Sequence, residues 1–355
     1  MKILHTADLH LDEESEERWE ALDEILRVAD EQEVDLVSIS GDLFDHDTDA
    51  EKLRNRLRDA LSGGDFPVAI IPGNHDAESF RRGLHFGEQV EVLDNPDQPL
   101  QCGDLNVWGL PFSRMNGEEV LGQLRALGER MEETDGRHVL LFHGELLDAF
   151  YSQRDFGDEE GSYMPAKLSY FRDLPVDCVL AGHFHSRFAD WELDNETDGF
   201  FVYPGSPVSV TRRETGVRKV NILEPGGGPR GVELETRYYE DIRVVLDPVE
   251  GTDPVERVRE ELEDLPKHAA PLLTVTGYLN AEKLGTTEKE VIEELQGMAE
   301  GVCEHTDYSF MDVSRIVEDD LFQRFMSKVD SRGYEEDERE EMRDLVMRAM
   351  MEATI

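Results

Sequence analysis

Cysteine is scarce: three residues (Cys102, Cys178, Cys303) in a chain of 355, far apart and without CxxC or CxxH spacing. That excludes a disulfide framework and argues against a thiolate zinc site. Long hydrophobic runs are missing as well. Val139-Leu140-Leu141-Phe142, among the longest apolar stretches, falls far short of a bilayer span. The strand-like run that opens at residue 3 leaves no room for a charged-then-apolar leader, so the expectation is a cytoplasmic protein with no membrane partner. Positive charge is in short supply: 8 Lys and 28 Arg stand against 81 acidic residues, for a net charge of -45.

Acid this dense repels itself in the compact state, and concentrated salt screens the repulsion. It is spread along the whole chain, as on the surface of a protein from a salt-loaded, halophilic cytoplasm. A disordered acidic chain is excluded by 39% apolar residues and strong strand and helix patterns. By itself the charge also opposes nucleic acid as a partner, because a polyanion is repelled.

From Met1 to about Glu235, short apolar runs alternate with amphipathic stretches, which is how an α/β domain reads. Strands are expected at 2–6, 35–40, 68–71, 105–110, 138–142, 178–181, 200–203 and 218–222, and helices at 17–32, 50–61 and 118–130. Pro225-Gly-Gly-Gly-Pro229 is a linker or a hairpin tip. Residues 236–315 read as a small strand-helix-strand-helix-strand module. The tail, 316–355, holds two amphipathic helices, one carrying Leu321, Phe322, Phe325 and Val329, the other Met342, Leu345, Val346, Ala349 and Met350. Such stripes serve core packing or docking of another protein.

Five short motifs stand where the strands end: Asp8-Leu9-His10, Gly41-Asp42-Leu43-Phe44-Asp45, Gly73-Asn74-His75-Asp76, His143-Gly144 and Gly182-His183-Phe184-His185. Loops beyond the carboxyl ends of strands in an α/β sheet converge on one crevice. Taken singly, Asp-x-His is usually a surface turn, Gly-Asn-His-Asp is rich in turn residues, and His143 would suit a hydrogen-bonded core position. Together, Asp8, His10, Asp42, Asn74, His143, His183 and His185 supply hard oxygen and imidazole donors with no sulfur. In Asp-x-His and His-x-His the i and i+2 side chains share one side of an extended segment. Seven donors are too many for one four-coordinate ion and suit two divalent ions sharing a carboxylate, with Mn, Fe or Zn favoured.

This ordered set resembles the signature of the calcineurin-like metallophosphoesterases over about the first 225 residues. The resemblance implies a two-layer β-sandwich flanked by helices, with a dinuclear centre at the strand ends. It implies that Asp8, His10, Asp42 and His185 hold one metal and Asp42, Asn74, His143 and His183 the other. The opening Met1 to His10, the stretch Val176 to His185 and Tyr203-Pro-Gly-Ser-Pro207 are similar to the SbcD branch, nucleases of DNA double-strand-break repair. That narrower resemblance implies a DNA-facing cap in the small α/β module, a tail that binds an SbcC-type ATPase, a homodimer, and Mn with Mg as another possibility.

A water bridging two divalent ions has its pKa lowered toward neutrality, and the ions neutralise phosphoryl charge. His75, beside Asn74, is the expected general acid, with Asp45 expected to hold its ring. Many SbcD-like nucleases carry a histidine near Asp45 instead, and here His46 is the neighbouring candidate. DNA would need a locally basic groove, for which Arg81, Arg82, Arg212, Arg213 and Lys219 are the candidates, although surface ion pairing is the commoner use of such residues. The expected function is metal-dependent exonucleolytic and endonucleolytic cleavage of DNA. The alternatives are a phosphatase or cyclic-nucleotide phosphodiesterase of the same superfamily, and a scaffold whose site has fallen silent.

Overall fold

The computed structural model describes residues 1–47, 49–80, 85–148, 163–224, 226–248 and 252–354. Residues Met1–Tyr239 form one compact unit and Glu240–Ile355 a second. In the first unit, strands β1 (Ile3–Thr6), β2 (Leu36–Ser40), β3 (Val68–Ile71) and β4 (Val90–Val92) run parallel to one another. Next come β5 (Leu100–Cys102), β6 (Leu105–Leu110), β7 (Arg137–His143), β8 (Cys178–Gly182), β9 (Ala189–Glu192) and β10 (Phe200–Tyr203), then β11 (Lys219–Leu223) and β12 (Pro229–Glu233). They make two six-stranded sheets, ordered β12-β11-β1-β2-β3-β4 and β5-β6-β7-β8-β10-β9.

The near-continuous apolar runs of β3, β7 and β8 are what strands covered on both faces require. Between the sheets, Ile3, Leu36 and Ile71 meet Val139, Leu141, Leu180 and Val202. On the outer face of the first sheet, helix α1 (Glu16–Glu31) lays down Trp19, Leu22 and Ile25, and α2 (Asp49–Leu61) lays down Leu53, Leu57 and Leu61. A single turn, α3 (Ala77–Phe80), follows the third sheet strand. Helix α4 (Gly117–Glu132) covers the second sheet with Val120, Leu124, Leu127 and Met131. Its start is fixed by a capping box: the Asn116 side chain accepts from Glu118 N and Glu119 N, and the Glu119 carboxylate accepts from Asn116 N. The architecture is mixed α/β, two stacked sheets flanked by helices.

Strands β4, β5, β9 and β12 were not expected from the sequence. They are three to five residues long and carry polar residues such as Glu91, Gln101 and Asp190, so no apolar period marks them. The Gly-rich stretch after Leu223 is a hairpin tip, since β11 and β12 pair antiparallel from Lys219↔Glu233 to Leu223↔Pro229.

The second unit is built on a sheet of β13 (Tyr238–Leu246, all but its first two residues in this unit), β14 (Ala269–Leu279) and β15 (His305–Asp312), in that order, with the last two parallel. Helices α5 (Pro254–Glu263), α6 (Ala281–Leu284) and α7 (Glu288–Ala299) interleave with them. Val255, Val258, Val291 and Leu295 pack on Leu273 and Val275. The tail adds α8 (Ser314–Val317), α9 (Asp320–Asp330) and α10 (Glu336–Thr354), around a small core of Val313, Phe322 and Met347. Its apolar stripes divide: Phe322 and Val329 are buried, while Leu321 and Leu345 are 66% and 68% exposed. Among the described residues no helix is long and apolar enough to cross a membrane.

Many ion pairs join exposed side chains, such as Lys52 with Glu13 and Arg56 with Glu16, and each is worth about 0–1 kcal/mol. With 81 acids and 36 bases, most carboxylates have no basic partner of their own. The thermal midpoint is therefore expected to climb by several degrees as KCl rises from about 0.1 M to about 2 M, because screening shortens to about 3 Å or less. A midpoint indifferent to salt would remove self-repulsion as a term in this fold.

Candidate metal centre

Every motif picked out in the sequence sits at the carboxyl end of a parallel strand. Asp8 and His10 follow β1, Asp42 follows β2, Asn74 and His75 follow β3, His143 closes β7, and His183 and His185 follow β8. The chain turns sharply there. Asp8, His10, Asp42 and His183 all have left-handed backbone, with φ of 57°, 50°, 49° and 99°. Each such position in a residue other than glycine costs about 1–3 kcal/mol and persists only where surrounding contacts hold it. Here Asp8 N donates to Gly41 O at 3.1 Å and His10 N to Asp42 O at 3.0 Å. His183 N donates to Asp8 Oδ1 at 3.0 Å, and His75 N to Asp42 Oδ1 at 2.9 Å. Gly73 has to be glycine, since a Cβ there would lie 2.0 Å from Asp42 Oδ1 and 2.3 Å from its N.

The donors gather into two groups that share Asp42. One donor atom from each of Asp8, His10, Asp42 and His185 lies within 4.8 Å of the others, and the same holds for Asp42, His143 and His183. Asn74 Oδ1 joins the second group, 2.9 Å from His143 Nε2 and 3.1 Å from His183 Nδ1. Asp8, Asp42, His10, His143 and His183 are buried. His10 Nε2 and His185 Nε2 face each other at 3.2 Å, where two ring nitrogens can share at most one proton. Asp42 Oδ2, 3.3 Å from His143 Nε2, is buried without a hydrogen-bond partner among the described residues. Lone pairs converging in a buried cluster are what cations between them would satisfy, and the oxygen and nitrogen donors fit two divalent ions.

The electrostatics agree. Burial raises Asp8. Burial also works on Asp42, but His143, then His10 and His75, hold its carboxyl far below the usual carboxylate range. Burial opposes charge on His143 and His185, yet Asp42 lifts the first to about 9, and Asp8 with Glu214 lifts the second to about 9. The site is built to hold positive charge among its carboxylates.

The profile of the calcineurin-like phosphoesterases matches residues 1–187, more than half of the chain. The chain belongs to this family. Among curated relatives, it is 24% identical over 297 residues to the SbcD component of nuclease SbcCD from Staphylococcus saprophyticus, covering 74% of this chain and 75% of that one. It is 24% identical to the DNA double-strand break repair protein Mre11 of Sulfurisphaera tokodaii, over 52% of this chain and 49% of that one. With the Mre11 protein of Archaeoglobus fulgidus it shares 26% identity over 71% and 63% respectively. The chain thus spans about half to two thirds of the length of these archaeal relatives.

The phosphoesterase centre is braced by residues that the sequence did not single out. Glu214, buried after the Tyr203-to-Pro207 turn, lies 3.6 Å from His185 Nδ1 through Oε1. Its carboxylate also accepts from Ser206 Oγ at 2.7 Å, Val210 N at 2.8 Å and Thr211 N at 3.0 Å. Burial would raise Glu214, but His185 above all holds it down at about 2. Arg218, also buried, donates to Ser206 O and Ser186 O at 2.9 Å each and to His185 O. On the opposite flank Asp45 Oδ1 lies 3.3 Å from His10 Nδ1 and 3.2 Å from Arg18. His143 Nδ1 meets the Ser40 carbonyl at 2.8 Å. A lone acid in an acid-rich chain and a lone arginine just before a strand carry no periodic signal. Only the fold reveals them.

The expectation that the Asp45 carboxylate holds the His75 ring is corrected. His75 Nδ1 meets the Asp45 main-chain carbonyl at 3.0 Å, and the carboxylate turns to the His10 ring and the Arg18 guanidinium. His46 lies 3.6 Å from Asp45 with its side chain 71% exposed. Of the proposed phosphate contacts, Arg81 and Arg82 fall outside the described residues. Arg212 and Arg213 are exposed beside Glu214, and Lys219 pairs with Glu233 at 3.4 Å.

A carboxylate that orients a ligating histidine commonly contributes about ten- to a hundredfold in metal affinity. Glu214→Gln should weaken binding at the His185 side by that factor in a calorimetric Mn titration of metal-free protein, leaving a second class of binding unaltered. Two unchanged classes would show that Glu214 only supports the loop.

Proposed function

We propose that this phosphoesterase is a metal-dependent DNA nuclease, cleaving phosphodiesters exonucleolytically and endonucleolytically in double-strand-break repair. The observation that carries the reading is a filled set of seven donors with His75 at its edge, in a chain whose curated relatives are named as a nuclease component and as double-strand break repair proteins. Asp8, His10, Asp42 and His185 would hold one divalent ion, and Asp42, Asn74, His143 and His183 the other, with Mn as the metal of choice. When bound, the ions supply an activated water and neutralise charge on the phosphoryl oxygens.

The remaining chemistry belongs to the protein. The Asp45 carbonyl can only accept, so it keeps one proton on His75 Nδ1. In the imidazolium form the second proton, on Nε2, is the one given to the departing oxygen, and the ring is left neutral with Nδ1–H still bonded to the carbonyl. Ring centroids of His75 and His10 lie 4.7 Å apart, edge to face, which places the acid against the donor set. Asp45 meanwhile steadies His10, so one short loop serves both roles. In this reading residues 236–315 face DNA, and the tail, with Leu321 and Leu345 exposed, docks an SbcC-type ATPase on a homodimeric nuclease.

His75→Ala is expected to lower cleavage of end-labelled DNA by about 100-fold or more in molar KCl with Mn. The variant should still bind two ions per chain by elemental analysis. Asp8→Ala and His185→Ala should lose metal. Full activity in a variant stripped of ligands, or hydrolysis of nucleotide monoesters with DNA left intact, would overturn the nuclease reading.

A further inference from the structure

One wall of the cleft is not used by the chemistry just described. A cavity of about 460 Å³ opens beside His75, within the size range of small-molecule sites, and Phe112, Arg114 and Tyr163 line it. The two aromatic rings lie 6.0 Å apart at 43°. Each leans on a candidate ligand: Phe112 stands edge-on to His143 at 6.5 Å, and Tyr163 lies 5.1 Å from His183. Both are half-buried, whereas Phe142, Phe171 and Phe201 of the neighbouring core are wholly buried. Their exposed surface is therefore cleft surface, not packing surface.

The pair is anchored by backbone. Phe112 N donates to Pro72 O at 3.0 Å, immediately before the Gly73-Asn74-His75 loop. Ser113 N donates to Met164 Sδ at 3.1 Å, next to Tyr163, and Glu145 N donates to Tyr163 O at 2.9 Å. The aromatic wall is thus tied to the loops that carry Asn74 and His143. Arg114 is exposed at the rim.

We propose that Phe112 and Tyr163 form a base-stacking subsite for the nucleotide next to the scissile phosphate, with Arg114 offered to a flanking phosphate. This rests on the nuclease reading and names how that site grips its substrate. The physical reason lies in the charge of -45. A body this acidic gains little from counterion release, and less in concentrated salt. Stacking on an aromatic face needs no cation and accepts any base.

The test uses a short single-stranded oligonucleotide carrying 2-aminopurine, mixed with the full chain in molar KCl and chelator so that nothing is cut. Stacking quenches the fluorophore. Quenching is expected with the wild type and with Tyr163→Phe, and its loss with Phe112→Leu and Tyr163→Leu. With Mn restored, the leucine variants should show KM raised about fivefold or more, with kcat changed less. Replacing the stacked base by an abasic residue should erase the difference between wild type and variants. Metal content of each variant confirms an intact centre. If the doubly substituted leucine protein quenches and cuts like the wild type, the subsite is wrong while the nuclease reading stands. If the wild type neither cuts DNA nor quenches, both fall.

Discussion

Two carboxylates and four imidazoles crowded together at the rim of a sheet sandwich must be kept from water and from collapsing on one another. Removing charges from water costs several kcal/mol per ion even after relaxation. The unit meets that cost with rigidity. Four of the residues concerned are held in left-handed backbone, and the loops that carry them are bonded to one another before any side chain is considered. Glycine at position 73 lets Asp42 come within reach of the loop bearing Asn74. Glu214 and Arg218 clamp the far side, one through the His185 ring and the other through its carbonyl. The sheets, with their buried central strands, serve as the frame that keeps such strain within what the fold can hold.

The acidic surface sets the second constraint. On the proposed nuclease reading, a protein with so few bases gains little from a broad positive face, and its affinity for a polyanion would be concentrated where phosphate meets metal and where bases meet aromatic rings. The basic residues that do occur are largely engaged: Arg18 with Asp12 and Asp45, Arg218 within its loop, Lys219 with Glu233. Recognition by short-range contact is what remains under high ionic strength, where long-range attraction is screened.

Much of this was legible in the residues. The eight principal strands of the first unit and its three long helices fall where apolar runs and 3.6-residue periodicity put them, because burial on both faces writes long signals. The donor residues were legible because strand ends converge and because His and Asp at such places are costly without a purpose. Edge strands such as Val90–Val92 were hidden, being too short to show a period. Asp45 was found but its contact was misjudged: sequence shows that a carboxylate is near, not whether its side chain or its carbonyl does the holding. Glu214 was hidden by the abundance of Glu elsewhere, and Phe112 by the ordinary use of Phe in cores.

The pairing of β1 with β11 has a consequence for how the molecule is made. Ile3 meets Leu223 and His5 meets Asn221, so the opening strand waits for a partner more than two hundred residues downstream. A chain leaves the ribosome N-terminus first. Until Lys219–Leu223 emerges, the strand leading to Asp8 has one bare edge, and the arginine that grips the His185 loop has only just been translated. The donor cluster is thus completed by contacts from some of the last residues of its own unit.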